Sequence, residues 1–463
     1  MPPDKAGIIP RLLHSSAFSG LPDTPLKQAN APEVSPRPSA CPGLWRIVSA
    51  LDGGICRIKL PGGLLLAEQA EAVATAAERF AGGVIEATNR GNLQLRGIGS
   101  DHRALIDSLL AAGLGPRDAA GDDVRNLMLS PLAGHDPTML LDARPLAQQI
   151  LDMLEGTPRF HQLSAKFAVQ LDAGEGLAML EHPHDLWLAA LQLEQRSWLA
   201  FGLAGCPADG QVLGAVPVEQ GLALVRAVLE RFLDLATAEQ SRMRQLLERC
   251  PVEGFIHGLG LDIRRDALVL GWRRQPTESS WLGVLPQQQG LALGVAPPLG
   301  RLTPGMLRAV AQVARQAGDG SLRLSPWQSL VITSIDPQRI EQAQRALSAQ
   351  GLLCHSHEPL ARVTACTGAS GCAKAHGETK ADAVALASLL KPGAPGSVHL
   401  SGCPRSCAVA HVAPATLLAR SAGRYDLYLR DARLPGFGAL RAADLTLNEA
   451  GAMLDLPTEH LDD

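Results

Sequence analysis

The 463-residue sequence predicts an α+β protein built from two related halves. Three observations lead there. A repeat runs at an offset of 237 positions, both copies read as strand–helix–strand, and the composition can bury a large core. Without a gap, Pro61 meets Pro298, Gly63 meets Gly300, Leu65 meets Leu302 and Ala72-Val73-Ala74 meets Ala309-Val310-Ala311. Self-similarity at a fixed offset marks duplicated structural units. Hydrophobic residues make up 46% but aromatics only 3%, so the core must be built from Leu, Ala and Val.

The elements follow in order. Residues 1–40, rich in Pro, Ser and Ala, read as a disordered extension. Residues 41–118 form a first small unit. Its helix carries the stripe Ala70, Val73, Ala74, Ala77 and Phe80, and Asn92–Gly97 alternates as a strand. Residues 119–272 form a larger α/β unit, and Arg274–Ser280 reads as a linker. Residues 275–350 repeat the small unit. Thr303 is the helix N-cap and Pro304 the first helical residue, Met306, Leu307, Val310, Val313 and Ala314 make the stripe, and Gly318 closes the helix. Ser329–Ser334 is the matching strand, and residues 355–463 form a second α/β unit. The same offset sets Arg125 on Arg362, Leu129 on Cys366, and Leu163–Lys166 on Leu400–Cys403. A cleft between the halves would then have one cysteine wall and one basic wall.

The net charge of −4 provides no global positive field, which argues against nucleic acid as a partner. No run of ~18 apolar residues is present, which argues against a membrane helix. The N-terminal stretch lacks the apolar core of a secretory signal, so a cytoplasmic location is expected. Nine cysteines, an odd number, argue for metal ligands or reactive thiols rather than a disulfide framework.

Four cysteines stand apart. Cys366 and Cys372 enclose five residues, and Cys403 and Cys407 enclose three. Four thiolates complete the outer coordination of a 4Fe–4S cluster, and Gly368, Gly371 and Gly402 would let backbone approach it. Structural zinc prefers tighter cysteine pairs, and it stands as the weaker alternative beside unligated thiols. Cys41, Cys56, Cys206, Cys250 and Cys354 have no partner at such spacing and read as small core residues.

The motifs Cys366-x5-Cys372 and Gly402-Cys403-Pro404-x2-Cys407 resemble those of the siroheme-dependent sulfite and nitrite reductases. So do Arg57-Ile-Lys-Leu-Pro-Gly-Gly63 and Thr88-Asn-Arg-Gly-Asn-Leu-Gln-Leu-Arg-Gly97. The resemblance implies a pseudo-two-fold repeat of ferredoxin-like half-domains and iron–sulfur-type domains. Three further stretches, Cys41–Arg57, Pro298–Leu302 and Arg323–Trp327, narrow the likeness to the precorrin-3B synthases of aerobic cobalamin biosynthesis.

By this resemblance Cys366, Cys372, Cys403 and Cys407 hold the 4Fe–4S cluster, and Cys407 matches the cysteine that bridges to siroheme iron. Arg57, Arg125 and Lys166 match the catalytic basic face, while Arg57, Lys59, Arg90, Arg96 and Arg125 are the residues expected to bind the tetrapyrrole. A second iron centre, mononuclear non-haem or siroheme, is implied, and His376, His399 and His411 are candidate ligands. The implied reaction is C20 hydroxylation of precorrin-3A by dioxygen, with γ-lactone closure. No dinucleotide fingerprint follows a strand, so electrons are expected from an external, NADH-linked reductase. Two departures matter. Gly91 stands where the reductases usually have Gln, and Ala168 where they usually have a second polar residue after the lysine. The alternatives are a siroheme-dependent nitrite or sulfite reductase and a non-catalytic iron–sulfur electron carrier.

Overall fold

The structure is a computed structural model that describes residues 41–208, 210–276, 280–391 and 396–455. The expected extension over residues 1–40 lies outside the described residues, as do Thr277, Glu278 and Ser279 of the expected linker. The first copy runs β1 (Val48–Ala50), β2 (Gly53–Ile58), β3 (Leu64–Leu66), α1 (Ala67–Phe80), β4 (Val84–Ala87), β5 (Leu93–Ile98) and α2 (His102–Ala111). An α/β unit follows, with β6 (Leu127–Met128), α3 (Arg144–Gly156), β7 (Val169–Asp172), β8 (His184–Leu193), β9 (Arg196–Gly205), β10 (Gly214–Pro217) and α4 (Gly221–Leu235). Short helices α5 (Met243–Leu247), α6 (Val252–His257) and α7 (Ala267–Leu270) complete it. The second copy runs β11 (Gly283–Pro286), β12 (Leu291–Val295), β13 (Arg301–Leu302), α8 (Pro304–Ala317), β14 (Ser321–Leu324), β15 (Leu330–Ile335) and α9 (Ile340–Ser348). Its α/β unit holds β16 (Val363–Ala365), α10 (Thr379–Leu389), β17 (Val398–Ser401), β18 (Ala415–Ser421), β19 (Arg424–Leu429), β20 (Ala439–Leu445) and α11 (Leu447–Leu454). Among the described residues no helix is long and apolar enough to cross a membrane.

The offset of 237 holds element by element in the small units: α1 and α8, β4 and β14, and β5 and β15 each start 237 residues apart. The Thr303 hydroxyl accepts from Met306 N, so the expected N-cap forms. The two sheets also exchange a strand. β3 pairs with β14 of the second copy, and β13 pairs with β4 of the first. α1 and α8 lie together over one shared core that includes Val73, Ala77, Val310 and Ala314. Neither small unit can close its five-stranded sheet alone, so the halves are interlocked by their hydrogen-bond ladders.

The exchange depends on the Leu-Pro-Gly-Gly turn. Gly63 has φ +72, and a Cβ there would sit 2.1 Å from the Leu324 carbonyl oxygen. Gly63→Ala therefore meets both a left-handed backbone penalty and a clash with the neighbouring half. We expect a loss of about 2 kcal/mol or more, read as a lowered denaturation midpoint.

Beyond the small units the offset fails. β7 and β17 are corresponding strands, each second in a sheet whose first three strands are parallel, yet Val169 and Val398 are 229 residues apart. Leu400 and Ser401 lie inside β17, whereas Leu163 and Ser164 precede β7. Lys166 is thus not the counterpart of Cys403. The α/β units differ in loop length before the strand, and a gap-free offset cannot follow that. Leu129 and Cys366, by contrast, both directly follow corresponding strands. The expected linker begins with an anchored residue, for Arg274 Nε is 2.6 Å from Asp172 Oδ2 at the end of β7.

Candidate active site

The four clustered cysteines are delivered by the carboxyl ends of neighbouring parallel strands. Cys366 directly follows β16, and Cys403 lies two residues beyond β17. Ligand sites in α/β sheets favour such strand ends. With Cys372 and Cys407 they line one cavity of about 650 Å³. Gly402 N donates to Cys366 Sγ at 3.2 Å, and Thr379 Oγ1 lies 3.4 Å from the same sulfur. A Cβ on Gly402 would come 2.6 Å from Ala375 Cβ, so only glycine lets the two cysteine loops approach this closely.

All four thiols are free, and among the described residues no three Cys, His, Asp or Glu converge on a point for a single metal ion. Burial pushes the Cys407 thiol up, and the other three cysteines push it further. Four cysteines at one cavity are the ligand set that a polynuclear iron–sulfur cluster takes.

A polar ladder crosses the first sheet towards this cavity. Arg57, Gln94, Glu86 and Arg301 are successive cross-strand partners. Arg57 Nη2 donates to Gln94 Oε1 at 3.2 Å, Gln94 Nε2 donates to Glu86 Oε2 at 3.3 Å, and Arg301 Nη2 donates to Glu86 Oε1 at 3.0 Å.

A second cavity of about 840 Å³ adjoins the first, and Arg57, Thr88, Asn89, Arg405 and Cys407 line both. Six cations face the larger one: Arg57, Arg90, Lys166, Arg242, Arg244 and Arg405. Its one carboxylate among the described residues, Asp185, is held by Arg242 Nε at 2.9 Å and by Met243 N at 2.8 Å. Arg57 Nε is buried with no acceptor. The Arg90 side chain has no hydrogen-bond acceptor among the described residues, and burial, followed by the nearby Arg242, pushes its pKa down to about 10. A guanidinium N–H withdrawn from water without an acceptor is costly unless a ligand anion completes it. Val409, Ala410, Val412 and Phe437 supply an apolar surface to the same cavity. The pieces fit a flat polycarboxylate macrocycle lying beside a cluster.

Several expected residues are placed elsewhere. Lys59 does not reach either cavity. β2 ends at Ile58, the chain turns, and Lys59 Nζ donates to Asp122 O at 2.6 Å in the protein interior. Arg96 faces the cysteine cavity, not the larger one. It forks onto Asp52 at 2.8 and 2.9 Å and donates to Gly371 O at 3.1 Å. Arg125 pairs with Glu155 of α3 at 2.9 Å and lines neither cavity. Lys166 lines the larger cavity, beside Ala165. Of the candidate iron-ligating histidines, only His411 lines it. His376 is exposed, and His399 is buried, with burial pushing its pKa down to about 4. Cys41, read as core, borders the larger cavity.

Sequence reasoning missed Arg242, Arg244, His184 and Arg405. Only Arg405 carried a signal, since it lies between two cluster cysteines. The first three come from segments with no motif.

Lys59 supports a pH prediction. Burial pushes its ammonium down to about 8 from an ordinary 10.5, against the pull of Asp122. Between those values the unfolded chain binds a proton that the folded chain does not, so this group makes stability rise with pH. The stability difference between wild type and Lys59→Met should change across pH 8–10.5 in denaturant titrations, and a flat difference would contradict this placement.

Comparison with known proteins gives the same frame. The family model for the nitrite and sulphite reductase 4Fe-4S domain matches residues 120–265. The model for the nitrite/sulfite reductase ferredoxin-like half domain matches residues 51–113 and 285–350. The four clustered cysteines lie outside these ranges. The chain is 31% identical to the ferredoxin–nitrite reductase of Synechococcus elongatus, over 79% of this chain and 76% of that protein. It is 30% identical to the chloroplastic ferredoxin–nitrite reductase of Zea mays, over 77% and 68%. It is 27% identical to a precorrin-3B synthase of Sinorhizobium sp, over 86% and 84%. The Mycobacterium tuberculosis NirA structure shares the fold with a TM-score of 0.72 at 23% identity, covering 87% of this chain and 79% of that one. Interlocked ferredoxin-like halves, a thiol-ringed cavity and these matches together make the chain a member of the nitrite/sulfite reductase family of iron–sulfur oxidoreductases.

Proposed function

We propose that this protein is a tetrapyrrole monooxygenase of the precorrin-3B synthase kind, with Cys366, Cys372, Cys403 and Cys407 holding its 4Fe–4S cluster. The observation that carries this reading is the junction at Cys407, where a cavity ringed by four thiols opens on one ringed by six cations. A precorrin bears many carboxylates, and guanidinium groups bind carboxylates with two parallel hydrogen bonds. Arg57 and Arg90 would take the macrocycle's carboxylates, Arg242 stays oriented by Asp185, and the Val409–Val412 and Phe437 surface excludes water from its face. When bound, the iron groups supply electron transfer and oxygen activation. One oxygen atom of dioxygen enters at C20, and the other leaves as water with two protons and two electrons from a separate donor.

Ala168 favours the synthase over a reductase. It is buried, its backbone N–H donates to Asp185 Oδ2 at 3.0 Å, and it places no polar side chain on the cationic wall. The precorrin-3B synthase relative also spans most of both chains. A nitrite or sulfite reductase is the second reading, favoured by the higher identities to nitrite reductases and by Arg57 and Lys166 at the cavity. The test is anaerobic incubation with precorrin-3A, then labelled dioxygen and mass analysis. One labelled oxygen in the macrocycle is expected. Siroheme absorption with rapid nitrite or sulfite turnover, and no label, would replace this reading with the second.

A further inference from the structure

We propose that Asn89 and Gln328 form a paired clamp that positions Cys407 at the junction of the two cavities. The proposal rests on the reading of Cys407 as a cluster ligand. Asn89 Nδ2 donates to Cys407 O at 3.3 Å, and Gln328 Nε2 donates to Ala408 O at 3.1 Å. Two side chains from two different half-domains thus grip successive carbonyls of one loop.

They come from corresponding turns, at different positions within each. Asn89 sits in the β4–β5 turn, Thr88–Asn92, and Gln328 in the β14–β15 turn, Ser325–Ser329, which the 237 offset superposes. Gln328 stands where the first copy has Gly91. Gly91 has φ +64 and Gln328 has φ +56, so both turns need a left-handed residue there. Glycine adopts that conformation freely, whereas a glutamine does so under strain. Strain of this kind persists where the side chain serves a purpose. A place is also cut for it, because a Cβ on Gly300 would come 2.5 Å from Gln328 Oε1.

The gripped loop needs holding. Ser406, next to Cys407, is itself left-handed at φ +50, and Cys407 is the one exposed member of the four. Arg96 acts in the same sense on the other cysteine loop through Gly371 O. The half-domains therefore set where Cys407 sits, although the sheet that carries the cysteines belongs to another unit. Groups that orient a ligand without touching the metal commonly alter metal retention and electronic properties. Asn89 and Gln328 are positioning residues in this sense.

The test uses the full-length protein with its cluster reconstituted, and the variants Asn89→Leu, Gln328→Met and their combination. The combined variant should hold the same iron and sulfide and melt at the wild-type temperature. It should lose iron to a chelator roughly 10-fold faster, the low end for loss of outer-shell partners. The EPR lines of its reduced cluster should broaden and shift. Each single variant keeps one grip and should show a smaller change, which decides the matter should the combined variant fail to fold. Wild-type iron release and unaltered EPR in folded variants overturn the clamp. So does a fall in melting temperature with unaltered EPR. Binding of uroporphyrin III, followed by fluorescence, separates this from the functional reading. Gln328 lines only the cysteine cavity, so Gln328→Met should bind it as wild type does. A wild type that binds none removes the tetrapyrrole reading, while iron release still decides the clamp.

Discussion

Cys407→Ser is expected to yield a folded protein that loses most of its iron and sulfide after reconstitution, since one of the four thiolates that would hold the cluster is gone. A serine hydroxyl is a poor substitute for a thiolate in cluster coordination. The fold should survive because residue 407 contributes to it through its carbonyl, which accepts from Asn89, and not through its side chain. The same position lines both cavities, so the loss should also cut communication between them. Iron and sulfide analysis after anaerobic reconstitution, together with far-UV circular dichroism, reads both halves of the expectation. Full cluster content in the variant would remove Cys407 from the ligand set.

Arg90→Ala is expected to weaken binding of a polycarboxylate macrocycle such as uroporphyrin III by roughly 10- to 150-fold. That range follows from the ~1.5–3 kcal/mol of a hydrogen bond to a charged group. The free protein should not lose stability in step and should melt at the same temperature or higher. Its half-buried guanidinium lies near Arg242 with no hydrogen-bond acceptor among the described residues, so truncation relieves a desolvated, repelled charge. Opposite signs for affinity and stability distinguish a binding residue from a structural one. Equal affinity in wild type and variant, measured by fluorescence titration, would remove Arg90 from the site. Arg125→Ala offers the contrast. Its partner Glu155 lies on α3, away from both cavities, so it should lower stability and leave macrocycle affinity unaltered.

Much of the frame was legible in the chain before any coordinates. The cap signals located the ends of α8, and the helix stripe located the body of α1, because apolar periodicity is local and survives in both copies. The exchange of β3 and β13 was not legible. Alternation tells which face of a strand is buried but not which strand lies beside it. The basic residues divide for a similar reason. Arg57 lies within β2, where side-chain direction follows strand parity, and it lines both cavities. Lys59 is two residues on and would share that face if the strand continued, but β2 ends at Ile58. Arg125 follows a 3₁₀ turn, where no periodicity fixes direction, and it turned towards Glu155.

Four thiols in two close pairs, a duplicated α+β chain and a natural use in iron–sulfur chemistry can all be read from the order of the residues alone. Those conclusions need only short spacings, local periodicity and the ligand preference of thiolates. Which cations meet the thiols follows from packing in three dimensions. Packing set Lys59 and Arg125 away from both cavities and drew Arg96 to the cluster loop. It also brought in Arg242, Arg244, His184 and Arg405, and set Asn89 and Gln328 on the backbone of Cys407–Ala408. These contacts join residues far apart in the chain. They depend on loop lengths and on the exchanged strands, neither of which leaves a periodic signal.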